Sequence, residues 1–166
     1  MTHKSILVLT TGGTIDKNYF DALSEYQIVD SGIPALLGEA RVALPFRVVE
    51  LMRKDSLDMT DGDRLVIAHA AREAPEHHVV ITHGTDTMTD TARIVAAHAP
   101  GKTVVLTGAL SPARFAETDA QFNLGMAFAT AQVAPSGVYI AMSGEVFDGL
   151  KVRKDRAAGK FVALGD

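Results

Sequence analysis

Residues 6–9, ILVL, run directly into residues 10–16, TTGGTID, and this apolar run meeting a turn rich in hydroxyls and glycine decides the fold. The run is near-continuous rather than alternating, the pattern of a strand covered on both faces. Four more such runs follow: VVELM at 48–52, VVIT at 79–82, TVVL at 103–106 and VYIAM at 138–142. Helical patterns lie between them. Thr60 is placed to cap a helix with Asp61 and Asp63 in its first turn and Pro75 after its end. Residues 86–99 put Met88, Ala92, Val95 and Ala99 on one face. Thr118 and Gln121 have capping-box spacing ahead of Leu124, Ala127, Phe128 and Ala131, and a shorter helix is expected after residues 31–34. Strands alternating with helices predict an α/β fold: a doubly wound, mostly parallel sheet with helices on both faces.

Composition narrows the function. The chain has 166 residues, 47% hydrophobic and 22% charged, with a formal net charge of -4. That is enough for a sizeable core, and the acidic balance argues against a nucleic-acid partner. No apolar run approaches the roughly 18 residues of a membrane span, so no membrane partner is expected. There is no cysteine, which fits a cytoplasmic location and removes thiolate metal sites and disulfides.

Four of the five runs end alike. They lead into TTGGT at 10–14, HGTDT at 83–87, TGA at 107–109 and SGE at 143–145. In an open parallel sheet the carboxyl ends of the strands share one edge, where ligands bind. The glycines and hydroxyls therefore converge on one crevice. TTGGTID matches neither G-x-G-x-x-G nor a Walker A sequence, since no lysine follows the glycines. HGTDT is not H-E-x-x-H, and His77 and His78 fall at the start of a strand, away from that edge, so no metal and no cofactor are expected. What remains is hydroxyl chemistry, in which a threonine needs a base or a proton path. Tyr19, Tyr26, Asp86 and Lys154 are the candidate partners, each with an ordinary structural reading as well: Asp86 as a helix cap, Lys154 as a solvated charge. Residues 18–31, polar and without a clean period, read as a long loop of the kind that forms active-site lids.

TTGGTID together with VITHGTDTMTDTA (80–92) resembles the two signature motifs of the bacterial-type L-asparaginase family. DSLDM (55–59), VVLTGALSP (104–112), TDAQFNL (118–124) and VFDGLKVRKD (146–155) resemble further family segments in the same order. The resemblance implies the Rossmann- or flavodoxin-like N-terminal domain of that family. It implies L-asparagine as a small-molecule substrate, hydrolysed to aspartate and ammonia through an acyl-threonine ester. By position, Thr14 is the implied nucleophile and a tyrosine of the lid assists it. Thr85, Lys154 and Asp86 form a second polar cluster that supports proton transfer. Ser56 and Asp86 hold the substrate's α-carboxylate and α-amino groups, and Gly13, Thr85 and Ala109 line its site. Backbone N–H groups near Gly13, Thr14 and Thr85 are the implied oxyanion donors. Tyr26 fits the spacing of longer members and Tyr19 the short TGGTIDKxYF pattern, which favours Tyr19 slightly.

The chain also departs from the pattern. Longer members carry a second, smaller domain whose acid completes a neighbouring subunit's site. This sequence runs only to Asp166 and resembles the short, single-domain form, one domain over 1–166. Asp21, Glu25 and Glu145 are then the acids available for ammonium, and Ser111 stands where many members carry arginine. A homo-oligomer, dimer or higher, is implied by the resemblance alone. Two other functions compete: another small amidase on this scaffold, and a non-catalytic sensor of asparagine or aspartate. A sensor needs Ser56 and Asp86 but not two hydroxyls and a lysine.

Overall fold

The computed structural model describes residues 4–20 and 25–165. All five apolar runs are strands of one sheet: β1 (Ile6–Gly12), β4 (Phe46–Lys54), β5 (His78–Thr82), β6 (Thr103–Thr107) and β7 (Gly137–Met142). Before β4 come β2 (Lys17–Phe20), β3 (Glu25–Ile28) and helix α1 (Ile33–Glu39). The other helices are α2 (Asp61–Glu73), α3 (Met88–His98) and α4 (Ala120–Val133). β8 (Glu145–Asp148), β9 (Val152–Asp155) and β10 (Lys160–Ala163) close the order.

The sheet runs β4-β1-β5-β6-β7-β8, parallel except for the β7–β8 pair. Alternate residues of β1 serve opposite cores. Leu7 and Leu9 pack with Ile67 and Ala68 of α2 and Ala92 and Val95 of α3. Ile6 and Val8 pack with Leu36 and Leu37 of α1 and Leu124 and Ala127 of α4. Both faces are thus covered, which is why the strands read as unbroken apolar runs. Successive connections run from β1 outward to β4, then back past β1 to β5 and on to β6 and β7. The chain reverses direction between β1 and β5, the switch point at which such sheets open a crevice.

The crossovers do not share one hand. The β5–α3–β6 and β6–α4–β7 connections step the same way along the sheet, yet α3 and α4 lie on opposite faces. The α4 crossover is therefore opposite in hand to those through α1, α2 and α3, against the strong right-handed preference of βαβ units. To reach the far face, residues 108–119 sweep across the carboxyl edge, where the Ala113 N–H donates to the Ile15 carbonyl at 3.0 Å. That detour lays residues 110–115 beside the end of β1.

Three local expectations are corrected. The stretch read as a loop over 18–31 is largely a hairpin, β2 paired antiparallel with β3 so that Tyr19 faces Tyr26 across the strands. Cross-strand aromatic stacking supplies the order that its irregular pattern hid. Helix α3 starts at Met88, not Asp86, because Asp86 is engaged by Lys154 ahead of the helix. No capping box forms from Thr118 and Gln121. Asp119 is the N-cap of α4, while Thr118 Oγ1 accepts from Ala120 N–H and donates to the Ser111 carbonyl. At α2 the Thr60–Asp63 capping box is present. Among the described residues no helix is long and apolar enough to cross a membrane.

Candidate active site

The crevice begins where β1 and β5 touch. Gly13 has φ 82 and ψ -176, a conformation that only glycine adopts readily. A β-carbon there would lie 2.5 Å from the Gly84 nitrogen, so the two backbones form a seam without room for a side chain. Gly13 N–H donates to the Lys54 carbonyl at 2.9 Å, which joins the seam to β4. Thr14 follows, opening a single 3-10 turn, Thr14–Asp16. It is half-buried and lines a cleft of about 350 Å3 with Lys17, Tyr26, Leu110, Ser111, Pro112 and Phe115.

Across the seam lies the second cluster. Lys154 Nζ, carried in by β9, donates to Thr85 Oγ1 at 2.7 Å and to Asp86 Oδ1 at 2.8 Å. The lysine side chain is only 16% exposed, so these contacts are partly shielded from water. Arg156 Nε stands 3.8 Å from the same Asp86 oxygen. Ser56 is buried in a 3-10 turn after β4, against Gly84, where its Oγ accepts from Thr87 N–H at 3.3 Å. Asp55 caps that turn by accepting from Leu57 N–H at 3.0 Å and receives Lys17 Nζ at 3.1 Å. Burial pushes the Asp55 carboxyl up, but the Leu57 N–H and the Lys17 ammonium outweigh it, and its pKa lies below the usual value.

Thr14, Tyr26 and Ser111 therefore meet in one cleft, and Thr85, Asp86 and Lys154 in one hydrogen-bonded cluster. Tyr19 does not line that cleft. Its ring stacks on Tyr26 with centroids 5.1 Å apart, and Tyr26 in turn lies 6.1 Å from Phe115. Ala109 is buried in the core beneath the edge and does not line that cleft. Gly13 N–H is occupied by Lys54 and is not a free oxyanion donor. Among the described residues neither the Thr14 nor the Thr85 N–H has a hydrogen-bond acceptor. Glu25 is exposed on β3 and takes a bond from Gln27, Glu145 is exposed on β8, and Asp21 lies outside the described residues.

Several supporting residues escape a sequence reading. Arg64 is buried and donates to Thr87 Oγ1 at 3.0 Å, and that hydroxyl donates to the Ser56 carbonyl at 2.8 Å. This chain buttresses the Ser56 turn. Asn123 ties two loops at the edge: it donates to the Gly108 carbonyl and to Asp119 at the two ends of the 108–119 segment, and accepts from Ser143 N–H. Its polar side chain on the apolar stripe of α4, inside the TDAQFNL segment, is the signal the sequence offers. His83 is fully buried, its Nδ1 2.6 Å from the Gly84 carbonyl and its Nε2 2.7 Å from Thr91 Oγ1. The first contact requires a proton on Nδ1, so Nε2 accepts from threonine. Burial pushes its pKa down to about 4, and the neutral ring packs rather than titrates near neutrality.

Known proteins are similar to this chain in sequence and fold. A family model for the asparaginase N-terminal domain matches residues 5–161. An L-asparaginase of Thermococcus kodakarensis is 32% identical over 163 residues, which cover 93% of this chain and 48% of that protein. A solved structure of the thermostable L-asparaginase from the same organism superposes with a TM-score of 0.85 at 29% identity, over 96% of this chain and 51% of that one. One component of a glutamyl-tRNA(Gln) amidotransferase from Methanococcus vannielii is 29% identical over 169 residues, 91% of this chain and 38% of the relative. The chain thus spans about half the length, or less, of these relatives. With the family model matched over residues 5–161 and relatives matched over nine-tenths of its length, the chain belongs to the asparaginase family.

Proposed function

We propose that this chain hydrolyses L-asparagine to L-aspartate and ammonia through an acyl-enzyme formed on Thr14. The observation that carries the reading is that Thr14 and Thr85 follow the two glycines of one backbone seam, and that Thr85 Oγ1 accepts from a lysine ammonium which also binds Asp86. Thr14 Oγ1 attacks the side-chain amide carbon, the hydroxyl proton passes by way of a neighbouring group to the amide nitrogen, and the C–N bond breaks to release ammonia as the ester forms. Water then attacks the ester, and aspartate departs with Thr14 restored. The Thr14 and Thr85 N–H groups are the oxyanion donors in this reading; such donors can contribute about 3–4 kcal/mol. Lys154 orients Thr85 and stabilises negative charge that develops beside it. Ser56 and Asp86 receive the α-carboxylate and α-amino groups. Tyr26, which lines the Thr14 cleft, is the assisting tyrosine, with Tyr19 stacked against it.

One methylene separates asparagine from glutamine, worth only about 1–3 kcal/mol in a pocket, so preference is set by fine shape. The resemblance to an amidotransferase component favours a second reading, an amidase acting on another amide. Assembly as a homo-oligomer and a cytoplasmic location belong to the same proposal. The first is checked by light scattering, where a monomer at working concentration would contradict it. The second rests on a chain without cysteine and is checked by cell fractionation.

Ammonia release from asparagine, glutamine and small amides by the purified protein tests the activity. Thr14→Ala abolishes steady-state release in this reading, and retained turnover would exclude Thr14 as nucleophile. Tyr26→Phe should lose more turnover than Tyr19→Phe, and the reverse order would reassign the assisting tyrosine. Binding of aspartate without release of ammonia from any amide would favour a sensor.

A further inference from the structure

The turn that carries Thr14 ends in a buried carboxylate for which the reaction has no use. Asp16 is 1% exposed. Its Oδ1 accepts from Ser31 Oγ at 2.9 Å and from Gly32 N–H at 3.3 Å. Its backbone carbonyl accepts from Val29 N–H at 3.1 Å. Residues 29–32 are the stretch by which the tyrosine hairpin returns to the body of the protein and enters α1. Asp16 therefore grips the returning stem with side chain and backbone together, while the outgoing stem leaves from its own carbonyl carbon. Ser31 Oγ accepts in turn from Ile33 N–H at 3.2 Å, which extends the grip into the first turn of α1.

We infer that Asp16 is a positioning residue that latches the β2–β3 hairpin to the Thr14 turn and so fixes Tyr26 relative to the Thr14 hydroxyl. The outgoing stem has a second tie, Lys17 to Asp55, but that pair is 24% and 32% exposed and contributes little. The Asp16 contacts are shielded, and hydrogen bonds to a charged acceptor are the stronger kind. Asp16 also shares a three-residue turn with Thr14, so movement of one end of the turn moves the other.

Burying this carboxylate raises its pKa to about 6, against the partial relief given by Ser31, Gly32 and the Arg114 guanidinium. The charged groups facing it are Arg114, from the 108–119 segment, and Glu50, from β4. Arg114 also donates to the Asp30 carbonyl at 2.8 Å, and Glu50 accepts from Ser31 N–H at 3.2 Å. Release of the stem lets water reach the carboxyl and returns its pKa toward the usual value, so protonation favours the latched state and the grip tightens as pH falls through about 6.

The inference rests on the proposed catalysis for its consequence but not for its test. Hydrogen exchange of the peptide 25–32 reads the latch directly, with the core peptide 78–82 as a folding control. Asp16→Ala should speed exchange in 25–32 on the order of tenfold while 78–82 stays protected. In the wild type, intrinsic-rate-corrected exchange of 25–32 should fall between pH 7 and pH 5. Asp16→Asn, which keeps the shape and the acceptor, should lose that pH step. Turnover should follow exchange, with kcat in Asp16→Ala falling on the order of tenfold and KM changing less. Should Asp16→Ala fail to fold, the Asp16→Asn pH profile decides alone. Unchanged 25–32 exchange in Asp16→Ala, or the same pH step in Asp16→Asn as in the wild type, overturns the latch. A wild type that releases no ammonia from any amide overturns the proposed function and leaves the exchange result standing.

Discussion

Replacing Gly13 by alanine tests the seam on which the crevice is built. The added β-carbon would lie 2.5 Å from the Gly84 nitrogen, 2.7 Å from its α-carbon and 3.0 Å from the His83 carbonyl carbon. All three are backbone atoms, so no side chain can rotate aside. The nearest is about 1 Å inside ordinary contact distance. Forced overpacking of this kind costs about 1–3 kcal/mol. The backbone at φ 82, ψ -176 is a glycine-only region and adds about 1–3 kcal/mol more for any other residue. Together the two penalties centre on about 4 kcal/mol, a large share of the 5–15 kcal/mol that stabilises a typical domain. For a chain of this length that corresponds to a fall of roughly 8–16 °C in Tm, read by circular dichroism. Gly101→Ala is the matched control. Its φ is also positive, at 80, but its added β-carbon meets nothing within 4 Å. That variant should cost only about 1 kcal/mol, or roughly 2–4 °C. If Gly13→Ala melts no lower than Gly101→Ala, β1 and β5 do not touch as described and the geometry of the crevice is wrong.

Two buried groups oppose each other in acid. Folded His83 titrates at about 4 rather than 6.5, so as pH falls below 6.5 the unfolded chain takes up a proton that the folded ring refuses; the stability lost approaches about 3 kcal/mol at pH 4. Folded Asp16 titrates at about 6 rather than 3.8, so the folded state takes up its proton first and gains stability of similar size over the same fall. Asp16→Asn removes the gain and keeps the loss, so urea unfolding of this variant should weaken toward pH 4.5 about 2 kcal/mol more than in the wild type; parallel pH profiles would contradict the raised pKa of Asp16. Asn123→Ala leaves the Gly108 carbonyl and the Ser143 N–H without their side-chain partner and should cost about 2–3 kcal/mol in chemical denaturation; a loss under about 1 kcal/mol would mean that water or a loop shift replaces it.

The sequence by itself determined the five parallel strands and the edge they share. A strand covered on both faces has to be apolar at nearly every position, so ILVL, VVIT and TVVL admit little else, and the glycine and threonine that end them stand out by contrast. Thr14, Thr85 and Asp86 were legible as candidates because they sit in those strand-end motifs, Lys154 because of its chemistry in VRKD, and Ser56 only through the family resemblance. Only the tertiary structure decided how they meet. Lys154 reaches Thr85 across 69 positions of sequence, and Lys17 reaches Asp55 across 38, distances that no local pattern encodes. The hairpin was hidden because its order comes from stacked aromatics and from Asp16, not from period-two alternation. Tyr26 lines the Thr14 cleft with Tyr19 paired and stacked against it, an arrangement that no local pattern encodes. The opposite hand of the α4 crossover is likewise silent in the sequence, because an apolar helix face packs equally well on either side of a sheet whose two faces are both apolar. It decided that residues 108–119 cross the crevice and supply one wall of it.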